Sequence, residues 1–231
     1  QILMQEGWHH ELTKKDDEIT LKGVVYNEMQ GVFSSPEEVL FSNIQHSLFP
    51  NHVYGFESGG DPDDIPNLSY EEFIDFHKCY YHPSNSRIFL YGDGSIENRL
   101  KFIHKEYLRK FTKSAIDSHI PLVNSYDNPD EIEKRYSISA DENEKEKTYL
   151  SMNFVTGDSN DLELSMAMGI LEYILMESPA APLKNTLLES RLGKDVFGSN
   201  NNHLRQPFFS IIVKNSESGR KTKFSNLVFN T

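Results

Sequence analysis

The stretch Leu21-Lys22-Gly23-Val24-Val25-Tyr26-Asn27-Glu28-Met29-Gln30-Gly31-Val32-Phe33 carries the reading of the whole chain. Its apolar residues Leu21, Val24, Val25, Met29, Val32 and Phe33 recur at three- and four-residue spacing, which predicts an amphipathic helix. At about 100° per residue, Glu28 falls inside the apolar arc, between Val24 on one side and Leu21, Val25 and Val32 on the other. An ionised carboxylate on a buried stripe is costly to desolvate unless a cation or several donors meet it. The pattern therefore demands a partner for Glu28 without naming it. A lysine or arginine, a route along the helix to its edge, or a metal ion would each satisfy it.

Downstream, Ser35 and Glu38 make a capping box with Pro36 at the first helical position, and Val39, Leu40, Ile44 and Leu48 give this second helix a buried face, closed by Pro50. The turn-rich run Ser58-Gly59-Gly60-Asp61-Pro62 precedes a helix opened by Ser69 and Glu72 and ended by His82-Pro83. Residues 87–91 read as a strand stopped by Gly92-Asp93-Gly94, after which Ser95 opens a helix through Leu100, Ile103, Tyr107 and Leu108. From Thr112 to about Glu131 the periodicity lapses around Pro121 and Pro129, the signature of a linker. Strands are expected at 135–139, 149–155 and 208–214, a long helix at 162–176, and a short helix at 183–192 stopped by Gly193. The polar tail 216–223 is expected to be loose. The fold class that follows is α+β, with mainly antiparallel sheets covered by long helices.

Composition removes several function classes. A formal charge of −12 over 231 residues repels phosphate backbones, and the lysines and arginines are scattered, so no nucleic-acid partner is expected. Acidity suits a basic peptide, and it suits solubility equally. The strongly apolar run 166–176 is too short for a bilayer and is interrupted by Gly169 and Glu172, so no membrane span is expected. The first residues have neither signal nor transit character and do not start with Met, so the native start is expected upstream. The single cysteine, Cys79, excludes an internal disulfide and an all-cysteine zinc site, and is expected as a small buried residue on a helix.

No histidine arrangement passes the test of ligand geometry. His9-His10-Glu11 lacks a second histidine, because the position four after His10 is Lys14, and His-x-x-Glu-His does not occur. His77 and His82 are separated by a helix end, and His46 and His52 by Pro50; all four read as helix-surface or loop residues. Serine-hydrolase, P-loop and dinucleotide fingerprints are missing as well.

Four segments in order, Gln5-Glu6-Gly7-Trp8, Lys22-Gly23-Val24-Val25-Tyr26-Asn27-Glu28-Met29, Ser58-Gly59-Gly60-Asp61-Pro62 and Tyr81-His82-Pro83-Ser84-Asn85, closely resemble the presequence-protease and falcilysin branch of the insulinase-like (pitrilysin-type) zinc peptidases. A weaker match continues through Leu187-Leu188-Glu189-Ser190-Arg191-Leu192-Gly193. The resemblance implies insulinase-like domains enclosing a chamber that admits unfolded peptides, held extended by strand addition. It also implies a zinc site built from an inverted His-x-x-Glu-His helix and a distant Glu on a second helix, and assigns that distant ligand to Glu28.

The inverted motif is expected upstream of Gln1, so this chain holds no catalytic residue and is expected to be inactive alone. Residues 1–113 are then the C-terminal part of the first, catalytic domain, 114–131 a linker, and 132–231 a truncated second, non-catalytic domain. The implied partners are unfolded peptides, organellar targeting peptides among them, and the rest of the same polypeptide. The implied compartment is the mitochondrial matrix or another organelle lumen. The alternative is a non-catalytic homologue serving as an interaction or assembly subunit, against which the retained Glu28 argues.

Overall fold

The computed structural model describes residues 6–124 and 126–231. They form two compact units: residues up to Pro62 together with Pro121–Thr231, and Asp63–Ile120. This spatial grouping differs from the linear division read from the sequence, which assigns each stretch to a domain of a longer protein.

The larger unit is organised by an antiparallel sheet of three strands, β3 (Thr148–Val155), β4 (Asp195–Asn201) and β5 (Phe208–Ser216), in the order β3-β5-β4. Side chains alternate across the central strand. Phe209, Ile211 and Val213 join a core with Met176, Leu183, Leu187, Leu192 and Phe224. These come from a helical layer made of α5 (Leu162–Glu172), its π-helical continuation Tyr173–Glu177, α6 (Pro182–Glu189) and α7 (Lys221–Asn230), with Leu192 just past α6. On the opposite face Phe208 and Ile212 pack with Ile44 and Phe49, supplied by α2 (Pro36–Leu48) and its C-cap. Covered on both faces, β5 is a nearly unbroken apolar run, as fully buried strands are. Ser210 is the exception: it is fully buried and its hydroxyl has no hydrogen-bond partner among the described residues.

Helix α2 starts where the sequence says it should, Ser35 accepting the Glu38 N–H at 3.4 Å. It is tied to the sheet by an ion pair between Glu37 and Lys214 of β5, with the Lys214 ammonium 5.8 Å from the centre of the Tyr149 ring. The lysine holds the Glu37 carboxyl below its ordinary value. Burial, and then the neighbouring Glu37, pushes Tyr149 up to about 12. The segment beyond Pro121 is pinned to the same unit. His52 Nδ1 accepts the Tyr54 N–H at 3.2 Å, which leaves Nε2 to donate to the Pro121 carbonyl at 3.0 Å. Tyr126 donates to the Leu48 carbonyl.

The outer edge of β4 is closed in part by the helical layer. Glu172 accepts the Asn200 N–H at 2.9 Å, and burial raises its pKa. A methyl group on Gly198 would press on the Met176 side chain.

Residues 9–11 and 20–22 form a short hairpin, β1 (His9–Glu11) and β2 (Thr20–Lys22), braced by Lys22 and Glu11 at 3.1 Å. In Asp63–Ile120 the helices are α3 (Tyr70–Tyr80) and α4 (Ile96–Glu106), the first opened by a complete capping box between Ser69 and Glu72. No described side chain of this unit is buried.

Several expectations change. Residues 87–91 and 135–139 form no ladder, because among the described residues no strand lies beside them to take their backbone groups. Phe89 and Tyr91 are consequently about nine-tenths exposed. Cys79 is exposed rather than buried, since α3 has no core beneath it. The tail is ordered: Ser216 is buried, and α7 anchors through Phe224. His52, read as a loop residue, is buried and structural.

Candidate functional site

Helix α1 (Val24–Val32) presents Glu28. The carboxylate is exposed and, among the described residues, meets no hydrogen-bond donor or cation. Its apolar neighbours are open too: Val24 is 54% and Val25 37% exposed. The part of the arc around Val24, Val25 and Glu28 is therefore open, whereas Leu21, Val32 and Phe33 are half-buried. The helix is held by the flank of that arc beyond Val25, where Met29 is its one buried residue.

Two glycines set the position of α1. Gly23 precedes it with no side-chain cap, and a Cβ there would lie 2.7 Å from Trp8 Cα and 2.8 Å from the Gly7 carbonyl oxygen. Gly59 lies against Met29, where a Cβ would overlap the sulfur and stand 3.0 Å from Cε. Three of the four segments that carry the resemblance thus meet around one helix: Gly7-Trp8 at Gly23, and Gly59 at Met29.

The fourth segment is a turn. His82 Nδ1 accepts the Ser84 N–H at 3.1 Å and the Asn85 amide donates to the Tyr80 carbonyl at 3.0 Å. Ser84 and Asn85 in turn accept from the Ser114 N–H and the Ser118 hydroxyl at 3.1 and 2.8 Å.

The remaining histidines do not gather around Glu28. His10 packs edge-on to Trp8 at 5.4 Å, His77 stacks on Tyr81 at 4.7 Å, and Glu11 is taken by Lys22. Among the described residues no group of three His, Cys, Asp or Glu could hold a metal ion. The donor chemistry fits one carboxylate ligand of a shared site, fixed on a helix and free to meet a cation. It does not fit a complete zinc site, which takes three protein ligands and a water. Sequence reasoning found Glu28 but missed Met29 and Gly59 as its supports. The available signal was the paired glycine Gly59-Gly60, whose missing side chain permits close packing.

Residues 67–231 match the family described as "Peptidase M16 inactive domain". The chain is 46% identical over its whole length to Protein HypA of Clostridium perfringens, covering 24% of that protein. It is 40% identical to Presequence protease 1, chloroplastic/mitochondrial, of Arabidopsis thaliana, with 98% of this chain and 21% of that protein covered. The chain thus spans about a quarter of the length of these curated relatives. Among solved structures, a protease from Helicobacter pylori superposes with a TM-score of 0.59 at 18% identity, over 90% of this chain and 50% of that one. A peptidase M16 inactive domain from Pseudomonas fluorescens superposes at 0.56 and 16%, over 89% and 49%. At such identities the structures speak for the fold alone, and that fold is helices with antiparallel sheets. No helix among the described residues is long and apolar enough to cross a membrane.

Proposed function

Since the chain belongs to the M16 peptidase family, on its presequence-protease branch, we propose that it is part of a zinc metalloendopeptidase that degrades unfolded peptides, supplying one metal ligand and part of the wall around the substrate. The observation that carries this reading is Glu28: an exposed carboxylate on α1 that meets no partner among the described residues and stands beside the open side chains of Val24 and Val25. An open apolar surface centred on a charge is an unfinished contact, and a second helix carrying the remaining ligands would finish it.

Zinc, when bound between such helices, would supply Lewis acidity and an activated water. On this reading Glu28 would be one ligand, and the other two, with the group that takes the proton from the water, would come from a His-x-x-Glu-His segment outside this sequence. In that parent, residues 1–113 are the end of the first peptidase domain, 114–131 a linker and 132–231 the start of the second. The match of residues 67–231 to a domain described as inactive supports a structural role for that stretch. Unfolded peptides and the rest of the same polypeptide are the partners on this reading. An organelle lumen such as the mitochondrial matrix is the compartment suggested by the presequence proteases, while HypA comes from a bacterium.

The test is Glu28→Gln in the full-length protein, with zinc content and peptide cleavage measured together. A carboxamide is a poorer ligand for a cation, so both should fall while the circular-dichroism spectrum holds. Full zinc with full activity would assign Glu28 a structural role.

A further inference from the structure

We infer that Gly59 is a positioning residue for Glu28, acting through Met29; this rests on the reading of Glu28 as a metal ligand. Helix α1 is only nine residues long, has no side-chain N-cap, and carries Val24 and Val25 in solvent. Such a helix is marginal without tertiary support. Its one buried side chain is Met29, 7% exposed, adjacent in sequence to Glu28. Residues one apart on a helix point about 100° from each other, so the seating of Met29 fixes the rotation at which Glu28 leaves the axis.

Met29 is seated on Gly59. A methyl group at position 59 would overlap the Met29 sulfur, stand 3.0 Å from its terminal carbon and 3.4 Å from Cγ. Met29 then either swings its side chain out of the seat or carries the helix with it. Either movement releases the contact that sets the rotation of α1. Gly23 at the other end cannot compensate, because the atoms crowding it are the backbone of Gly7 and Trp8. Gly59 touches neither Glu28 nor a metal, so its effect is on ligand placement. Residues that orient metal ligands typically change metal affinity by roughly 10- to 100-fold when altered.

The experiment uses the full-length protein and zinc itself. Zinc affinity is measured by competition with a chelator in the wild type, Gly59→Ala, Met29→Leu, Met29→Ala, the double variant Gly59→Ala/Met29→Ala, and Glu28→Gln. In parallel, hydrogen exchange of the α1 amides is followed in the same full-length proteins. The expected result is a zinc affinity about tenfold weaker in Gly59→Ala, faster exchange in α1, and a double variant no weaker than Met29→Ala alone, because the added methyl then has no Met29 side chain to displace. Such coupling between the two positions is what a loss of general stability would not produce.

Wild-type zinc affinity in Gly59→Ala, with zinc lost in Glu28→Gln, would overturn the positioning role and leave the ligand reading standing. Unchanged affinity in Glu28→Gln would overturn the ligand reading and this inference with it. Should Gly59→Ala fail to fold, Met29→Leu decides: weakened zinc supports the seat, and unchanged zinc overturns it.

Discussion

Gln206 and Val123 exchange two hydrogen bonds, the Val123 N–H reaching Gln206 Oε1 at 2.8 Å and Gln206 Nε2 reaching the Val123 carbonyl at 3.0 Å. A buried amide side chain thereby serves as a one-residue strand partner for a segment 83 positions away. Gln206→Ala leaves both backbone groups of Val123 short of partners, which should cost about 1–3 kcal/mol in chemical denaturation. Gln206→Glu sets a buried carboxylate oxygen against the Val123 carbonyl in place of the donor, and should destabilise at least as much as Ala at neutral pH.

Stability should weaken at both ends of the pH range around Lys214. The Glu37 carboxyl is lowered from 4.5, chiefly by its hydrogen bond with Lys214. Its contribution is therefore present above pH 4.5 and lost as pH falls through the depressed value. Tyr149 runs the other way: its contribution is full below 10.0 and disappears as pH rises through about 12. Glu37→Gln should flatten the acid limb, and Tyr149→Phe should remove one late phenolate from the alkaline absorbance titration. The Glu37–Lys214 pair is partly solvated, so a double-mutant cycle should return less than about 1 kcal/mol.

Ser210→Ala should leave stability unchanged or raise it by about 1 kcal/mol, because it removes a fully buried hydroxyl that no acceptor or donor meets. A loss of more than that on thermal unfolding would mean that the hydroxyl has a partner, such as a bound water.

Amide exchange should divide the chain into two regimes. Amides of β5, buried on both faces, should exchange only with global unfolding. Those of α3 and α4, eleven residues each and without a buried side chain, should exchange quickly in the isolated chain. Slow exchange in residues 87–91 would show that this stretch finds a strand partner in solution.

Local signals were legible where the deciding interaction is local. Ser35 with Pro36, and Ser69 with Glu72, announce α2 and α3 because the cap and its acceptor lie three residues apart. Strand β4 was not legible: Gly198, Ser199, Asn200 and Asn201 have little strand propensity, and the segment is extended because β5 offers it a ladder. The converse holds for Arg87-Ile88-Phe89-Leu90-Tyr91, a good strand composition with no ladder to join. Glu28 was legible as an anomaly of pattern, but its exposure was not, since periodicity says which face is apolar and not whether anything covers it. The seat of Met29 on Gly59 joins residues 30 positions apart, and only the folded chain reveals it.

The carboxylate of Glu172 on the Asn200 N–H also bears on how copies of this chain could associate. An open sheet grows when each new strand leaves a fresh edge for the next. Here the β4 side is occupied by a side chain from its own helical layer, whereas the β3 side carries no such carboxylate among the described residues. A strand arriving at the β4 edge would find the Asn200 N–H already taken and would have to displace that carboxylate to extend the sheet there.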